Sequence, residues 1–247
     1  TKGGNMEKLI YVLWKDKGEE LPGFNSRLLG PVREALQKLG VEKLQFNIVD
    51  DVVAPGAHMR AEPVKPSPDA LVSFWLNSAN IRTKVEAVLE DSITRIAGYA
   101  VAESTPRANA DKPGKDDRVP GFSQIAFLFK RPDITREGYM DMWMRDQTVV
   151  GMETQDSFYY CQNIVTRVLT TGAPMWDGIV EECYALEAMT DPLVFWNAGG
   201  KEEVFKANLE REMTNVARFL DLNRGSVIIT SAYRCGGWAD PAEGGKR

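Results

Sequence analysis

Two carboxylates stand side by side in an apolar run, Ile179-Val-Glu-Glu-Cys-Tyr184. Neighbours on an extended strand point to opposite faces, so Glu181 and Glu182 face opposite ways and one must face inward. A carboxyl enclosed by apolar groups has its pKa raised, because burial disfavours the charged form, and can then serve as general acid or base. The bland alternative is a Glu181 paired with a strand neighbour such as Arg167, or placed at a wet strand end. Polar residues also interrupt strand-like runs at Gln124, Gln162, Asn163 and Thr230, where a strand covered on both faces would be apolar. Tyr160 and Asn163 are candidate ligand contacts; their structural alternative is a core tyrosine with its hydroxyl at the rim and an asparagine tying down a loop. Tyr139, Trp143 and Gln147 recur at intervals of four and so share one helix face, core first and pocket wall second. Gln147 then turns its amide toward whatever Trp143 lines. Trp75 is a further candidate contact. His58, the sole imidazole, lies on a loop between strands, where function concentrates but where a lone histidine is also often idle.

Other chemistries lack their residues. There is no GxGxxG after a strand, no P-loop, no GxSxG and no HExxH. One histidine and three cysteines without CxxC spacing argue against haem, zinc and non-haem iron sites, so no cofactor is expected. Cys161 and Cys183 fall inside expected strands and read as buried free thiols. His58 has no Ser or Cys at a recognisable elbow, which argues against a nucleophilic triad. A net charge of −5 spread along the chain offers no basic stripe for nucleic acid and no basic amphipathic helix for a membrane. No apolar run approaches the roughly 20 residues that span a bilayer. Without a signal-type apolar segment at the start, a cytoplasmic location is the default. Thr1 to Asn5, ahead of Met6, reads as an expression remnant.

The elements that must carry these side chains follow from apolar periodicity and from Gly/Pro punctuation. Strands are expected at Lys8–Lys15, Leu44–Val53, Asp69–Leu76 and Thr94–Glu103. Helices fall at about Ser26–Leu39 and Arg82–Glu90, and a proline-rich loop at Ala54–Pro68. That order is βαββαβ, the ferredoxin-like unit. Ser104–Gly121 reads as a linker with three prolines. The order then recurs: a strand from Phe122, a helix at Thr135–Gln147, strands at Phe158–Val168 and Asp177–Tyr184, a helix at Lys201–Leu220 and a strand at Gly225–Tyr233. The last helix should bury Val204, Leu209, Met213, Val216 and Leu220. Residues repeat too: Lys8-Leu-Ile-Tyr-Val-Leu-Trp parallels Gln124-Ile-Ala-Phe-Leu-Phe-Lys, and Asp69-Ala-Leu-Val parallels Asp177-Gly-Ile-Val. The expected division is 6–104, linker 105–121, 122–235 and a Gly-rich tail 236–247. Each sheet needs cover on the face its helices leave bare, and pairing the two sheets gives an intramolecular α/β barrel. The fold class is therefore α+β.

The second half carries a resemblance. An apolar strand ending in Arg131-Pro132, a helix with Trp143-x-x-x-Gln147, Tyr160-x-x-Asn163 and Asp177-Gly-x-x-Glu181 together resemble the EthD family. That family has Trp-x-x-x-His where Gln147 stands, and glutamine cannot shuttle a proton near neutral pH. The likeness implies a dimeric α/β barrel, here made from tandem halves of one chain, with Glu181 or Tyr184 (and His58 as a further candidate) moving a proton. It implies a cofactor-independent lyase, cyclase or isomerase acting on a hydrophobic, aromatic or polyketide-like small molecule, with a homodimer allowed. The alternatives are a cofactor-free oxygenase and a non-catalytic binding accessory. Only the second half holds the motif, so the pocket is expected there, with Gln147 on its wall and its amide turned either to Asn163, Tyr160 or Tyr184 or, as the functional reading has it, to a substrate oxygen.

Overall fold

A computed structural model describes residues 6–63, 65–109 and 113–236. The expected tail beyond Gly236 and the segment 1–5 lie outside the described residues. Eight strands close into one antiparallel barrel: β1 (Glu7–Trp14), β2 (Glu42–Ile48), β3 (Ala70–Leu76), β4 (Arg95–Arg107), β5 (Phe122–Leu128), β6 (Tyr159–Val168), β7 (Gly178–Tyr184) and β8 (Ser226–Arg234). Around the barrel the order is β1-β3-β2-β8-β5-β7-β6-β4. The first four strands therefore run 4-1-3-2, and the last four repeat that permutation as β8-β5-β7-β6. Two seams, β2 against β8 and β4 against β6, join the sets and leave no free edge.

Each strand serves two cores, which is why runs such as Lys8–Trp14 are buried throughout. Inside the barrel, Ile10, Val12, Tyr99, Phe127, Ile179 and Ile228 pack together. Outside the first half, Leu9, Tyr11 and Phe74 pack under Leu28, Val32, Leu36 and Leu89. Outside the second half, Leu128, Tyr160 and Val180 pack under Tyr139, Trp143 and Phe219. Residue parity on a strand thus decides whether a side chain enters the lumen or lies under the helices.

The helices cover the outer faces. In the first half, α1 (Leu21–Arg27) and α2 (Arg33–Lys38) are joined by a π-helical turn at Leu28–Val32, and α3 (Thr83–Glu90) follows β3. Pro31 sits in that turn without an N–H to give, a direct cause of the widened hydrogen bonding. In the second half, α4 (Arg136–Asp141) and α5 (Thr148–Thr154) are joined by a π turn at Met142–Gln147. Thr135 caps α4 through its hydroxyl to the Gly138 N–H. Then come α6 (Pro192–Phe195) and α7 (Glu202–Val216).

Several expectations are corrected. The loop after β2 is partly a 3-10 helix, Asp51–Met59, because Val53 and Gly56 are buried; Gly56 has Met189 and Ile229 against it. β4 runs to Arg107, into the expected linker. Val119 is buried there, with its N–H on the Ala232 carbonyl. Finally, the stripe expected on the last helix is only partly buried: Val216 and Leu220 pack half-buried against the core, Met213 is exposed, and the residues of α7 that are fully buried are Glu212 and Asn215.

Candidate active site

A pocket of about 290 Å³ lies on the outer face of the second-half strands, beneath α7 and the π turn. Trp143, Tyr160, Phe195, Trp196 and Phe219 supply aromatic wall. Trp143 is 1% exposed, and its indole lies directly on Gly178: a Cβ there would come within 2.3 Å of the ring. This is the close approach that requires glycine. The adjacent Asp177 accepts the Lys130 N–H at 2.9 Å and pairs with Arg136 at 3.3 Å, tying β7 to the turn before α4. Tyr139 stands behind Trp143 with ring centroids 5.3 Å apart, buried but outside the lining.

Two carboxyls enter this apolar space. Glu182, on the outer face of β7, is 9% exposed, and the Gln124 amide donates to it at 3.3 Å. Burial, with the negative charge of Glu212 adding to it, pushes Glu182 up to about 8; the bond from Gln124 and the charge of Arg107 pull the other way. Glu212, from α7, is 7% exposed and accepts from Gln147 at 2.5 Å and Thr154 at 3.1 Å. Burial raises its pKa as well, opposed by those two bonds. Asn215 donates to the Gln147 oxygen at 2.7 Å. Gln147 is among the lining residues, and its partners come from α7 and not from Asn163, Tyr160 or Tyr184. The widened turn at Met142–Gln147 carries both Trp143 and Gln147, a placement typical of π-bulges at sites.

The remaining candidates divide. Tyr160 is on the wall, its hydroxyl accepting from Gln162 at 2.9 Å, with burial raising its pKa. Tyr184 lies on the same outer face as Glu182, stacks on Phe195 with centroids 4.6 Å apart, and donates to Gln155 at 2.6 Å. Glu181 points into the lumen, away from the pocket. There it accepts from Gln45 at 2.9 Å, Asn47 at 2.8 Å and Ser123 at 2.8 Å, partners other than the expected Arg167. Asn163 is also luminal and donates to the Ile179 carbonyl at 3.0 Å. Trp75 is half-buried in the first half, with the Lys43 ammonium 5.2 Å from its ring centre. His58 is exposed, its Nδ1 3.0 Å from the Pro55 carbonyl. Neither Trp75 nor His58 lines the pocket.

Two residues at the pocket stand outside the sequence-based candidate site: Glu182, weighed only as the neighbour facing opposite to Glu181, and Glu212, not considered. The available signal was Asn208, Glu212, Asn215 and Phe219, spaced as one helix face that interrupts an apolar stripe with polar groups. No imidazole or thiolate is among the described residues lining the pocket. A haem held through either ligand does not fit it. Among the described residues no His, Cys, Asp and Glu cluster suits a metal ion.

No protein-family model matches the chain. No curated protein matches it. Solved structures do. A candidate monooxygenase of Fusobacterium nucleatum subsp. nucleatum matches with TM-score 0.52 and 10% identity, over 96% of this chain and 97% of that one. An anthrone oxidase-like protein matches with TM-score 0.50 and 12% identity, over 96% and 97%. A mutant chlorite dismutase from Candidatus Nitrospira defluvii matches with TM-score 0.47 and 8% identity, over 95% and 93%. These neighbours are dimeric α/β barrel proteins, and the likeness is one of fold alone.

Proposed function

We propose that this protein is an enzyme that moves a proton on a hydrophobic, aromatic or polyketide-like small molecule, with Glu182 as the acid and base. The observation that carries the reading is one carboxyl, Glu182, buried among aromatic rings and held to a pKa of about 8. At pH 7 roughly a tenth of such a group is ionised and the rest is an acid, so both roles are served near neutrality. A carbon acid bound beside it loses a C–H proton to the carboxylate, the bonding electrons pass to an adjacent carbonyl as an enolate, and Glu182 returns the proton at the same or another carbon. That is isomerase, cyclase or lyase chemistry, and no cofactor enters it.

The finer readings belong here as well. The two halves, 6–104 and 122–235, are tandem ferredoxin-like units, supported by the repeated 4-1-3-2 strand order. The EthD likeness rests on the motif order in the second half. A homodimer is a further proposal.

A second reading, a cofactor-free oxygenase, shares the first step: the enolate then reacts with oxygen. The company of a candidate monooxygenase and an anthrone oxidase-like protein on this fold favours it. Solvent deuterium exchange into anthrone, followed by NMR with and without oxygen, tests both. Exchange accelerated by the wild type and lost in Glu182→Gln supports the proton-transfer reading, and oxygen uptake in step with it selects the oxygenase. Tight binding of the ketone without exchange would leave a non-catalytic accessory protein.

A further inference from the structure

The polar edge of the pocket has one sign. Glu182 and Glu212 face it and Asp221 lies at its margin, while no Lys, Arg or His is among the described residues lining it. The arginines nearby are engaged elsewhere. Arg211 pairs with Glu153 at 2.5 Å, and Arg218 with Asp146 at 3.1 Å. Arg107 donates to the backbone carbonyls of Ser157 and Met152, and Arg224 stacks 4.0 Å over Phe129. Arg107 and Arg211 act on the two carboxyls only through space. The bonds already made also matter: the Gln147 oxygen is taken by Asn215, and its nitrogen by Glu212. The charged groups left toward the ligand are the carboxyls, Glu182 with one oxygen outside its bond from Gln124 and Glu212 with each oxygen accepting one bond, set among the neutral polar groups of Gln124, Gln155 and Ser226 and aromatic faces whose quadrupoles also favour positive charge.

We infer that this pocket selects ligands presenting a hydrogen-bond donor or a positive charge to Glu182 and Glu212, and rejects carboxylates and phosphates. The inference rests on the pocket being the ligand site, as the proposed function has it, and names the class of compound that enters. At pH 7 Glu182 is mostly protonated, so the cost of an anionic ligand is chiefly desolvation: its charge enters an apolar site with no Lys, Arg or His among the described lining residues to offset it, and it opposes ionisation of both carboxyls. A hydroxyl or ammonium donates to the carboxyl instead. An ammonium does more: its charge favours ionisation of Glu182, so binding is coupled to proton release.

The experiment is calorimetry at pH 7 with three probes of one shape: 1-naphthalenemethanol, 1-naphthylmethylamine and 1-naphthoate. The alcohol and the amine are expected to bind at least about tenfold more tightly than the carboxylate. Titration of the amine in two buffers of different ionisation enthalpy should show net proton release, which the alcohol does not show and Glu182→Gln loses. Equal or tighter binding of 1-naphthoate, or no binding by any of the three, overturns the inference. The expected order of binding with no deuterium exchange into anthrone would sink the proposed reaction and leave the selectivity standing.

Discussion

Replacing Glu182 with glutamine keeps the side chain's shape and its bond from Gln124 but removes its charge. In the unfolded chain this carboxyl has its ordinary value of 4.5, and in the fold burial holds it at about 8. Below the lower value both states carry the proton and the group adds no pH dependence. Between the two, the unfolded chain releases its proton and the folded chain keeps it, so folded stability falls as pH rises. The slope is about 1.4 kcal/mol per pH unit, and over the full interval the loss is on the order of 5 kcal/mol. Above pH 8 the slope from this group ends. Glu182→Gln is therefore expected to match wild type near pH 4 and to exceed it by a few kcal/mol at pH 8. Glu212 has the same direction of shift, so the informative quantity is the difference between the two proteins at each pH. Urea unfolding at pH 4 to 8, with m compared to confirm that the unfolded states match, measures it. Parallel stability curves, or a gap that closes as pH rises, would refute the account of Glu182 as a proton-holding acid.

Two further substitutions separate site from scaffold. Glu181→Gln should leave proton exchange per folded molecule near wild type and cost about 1–3 kcal/mol, because one of the two oxygens that accept from its three donors becomes an NH2 that cannot accept; lost exchange with unchanged stability would return the catalytic role to Glu181. Gly178→Ala should force the Trp143 ring off β7, costing about 1–3 kcal/mol as overpacking does and weakening ligand binding; the readouts are urea midpoint and indole emission, and an unchanged spectrum with normal stability would contradict the packing described.

The strand and helix order was legible because apolar runs, proline clusters and glycines mark it without reference to distant contacts. The face of each strand was not. Alternation shows which side of a strand is buried only when the other side is wet, and β7 is buried along its whole length. Glu181 and Glu182 therefore looked equivalent, and only the closed barrel tells lumen from pocket. On α7 the reading held for Val216, which packs on the core, but not for Met213, which is exposed while the neighbouring Glu212 is buried, about 100° away around the axis. The residues that resembled a known family mostly record packing. Trp143 lies on Gly178, Asp177 ties down the turn at Lys130, and Asn163 bonds the Ile179 carbonyl. Such a pattern reports how a helix seats on a strand, which is why it spoke for fold more clearly than for chemistry.

The β2–β8 seam has a consequence for how the chain is made. β2 ends at Ile48 and its partner begins at Ser226, so on a ribosome the two edges meet only after all of the chain between them has emerged. Until then β2 is an unpaired edge, the kind of surface that recruits neighbouring nascent chains. The side chains that edge turns to the lumen near the seam are Gln45 and Asn47, which later bond Glu181. Before closure they keep that face wettable; after closure they bond the Glu181 carboxyl of the second half to the first. The polar rung thus protects an intermediate as well as completing the finished barrel, and its loss should show first as aggregation during synthesis.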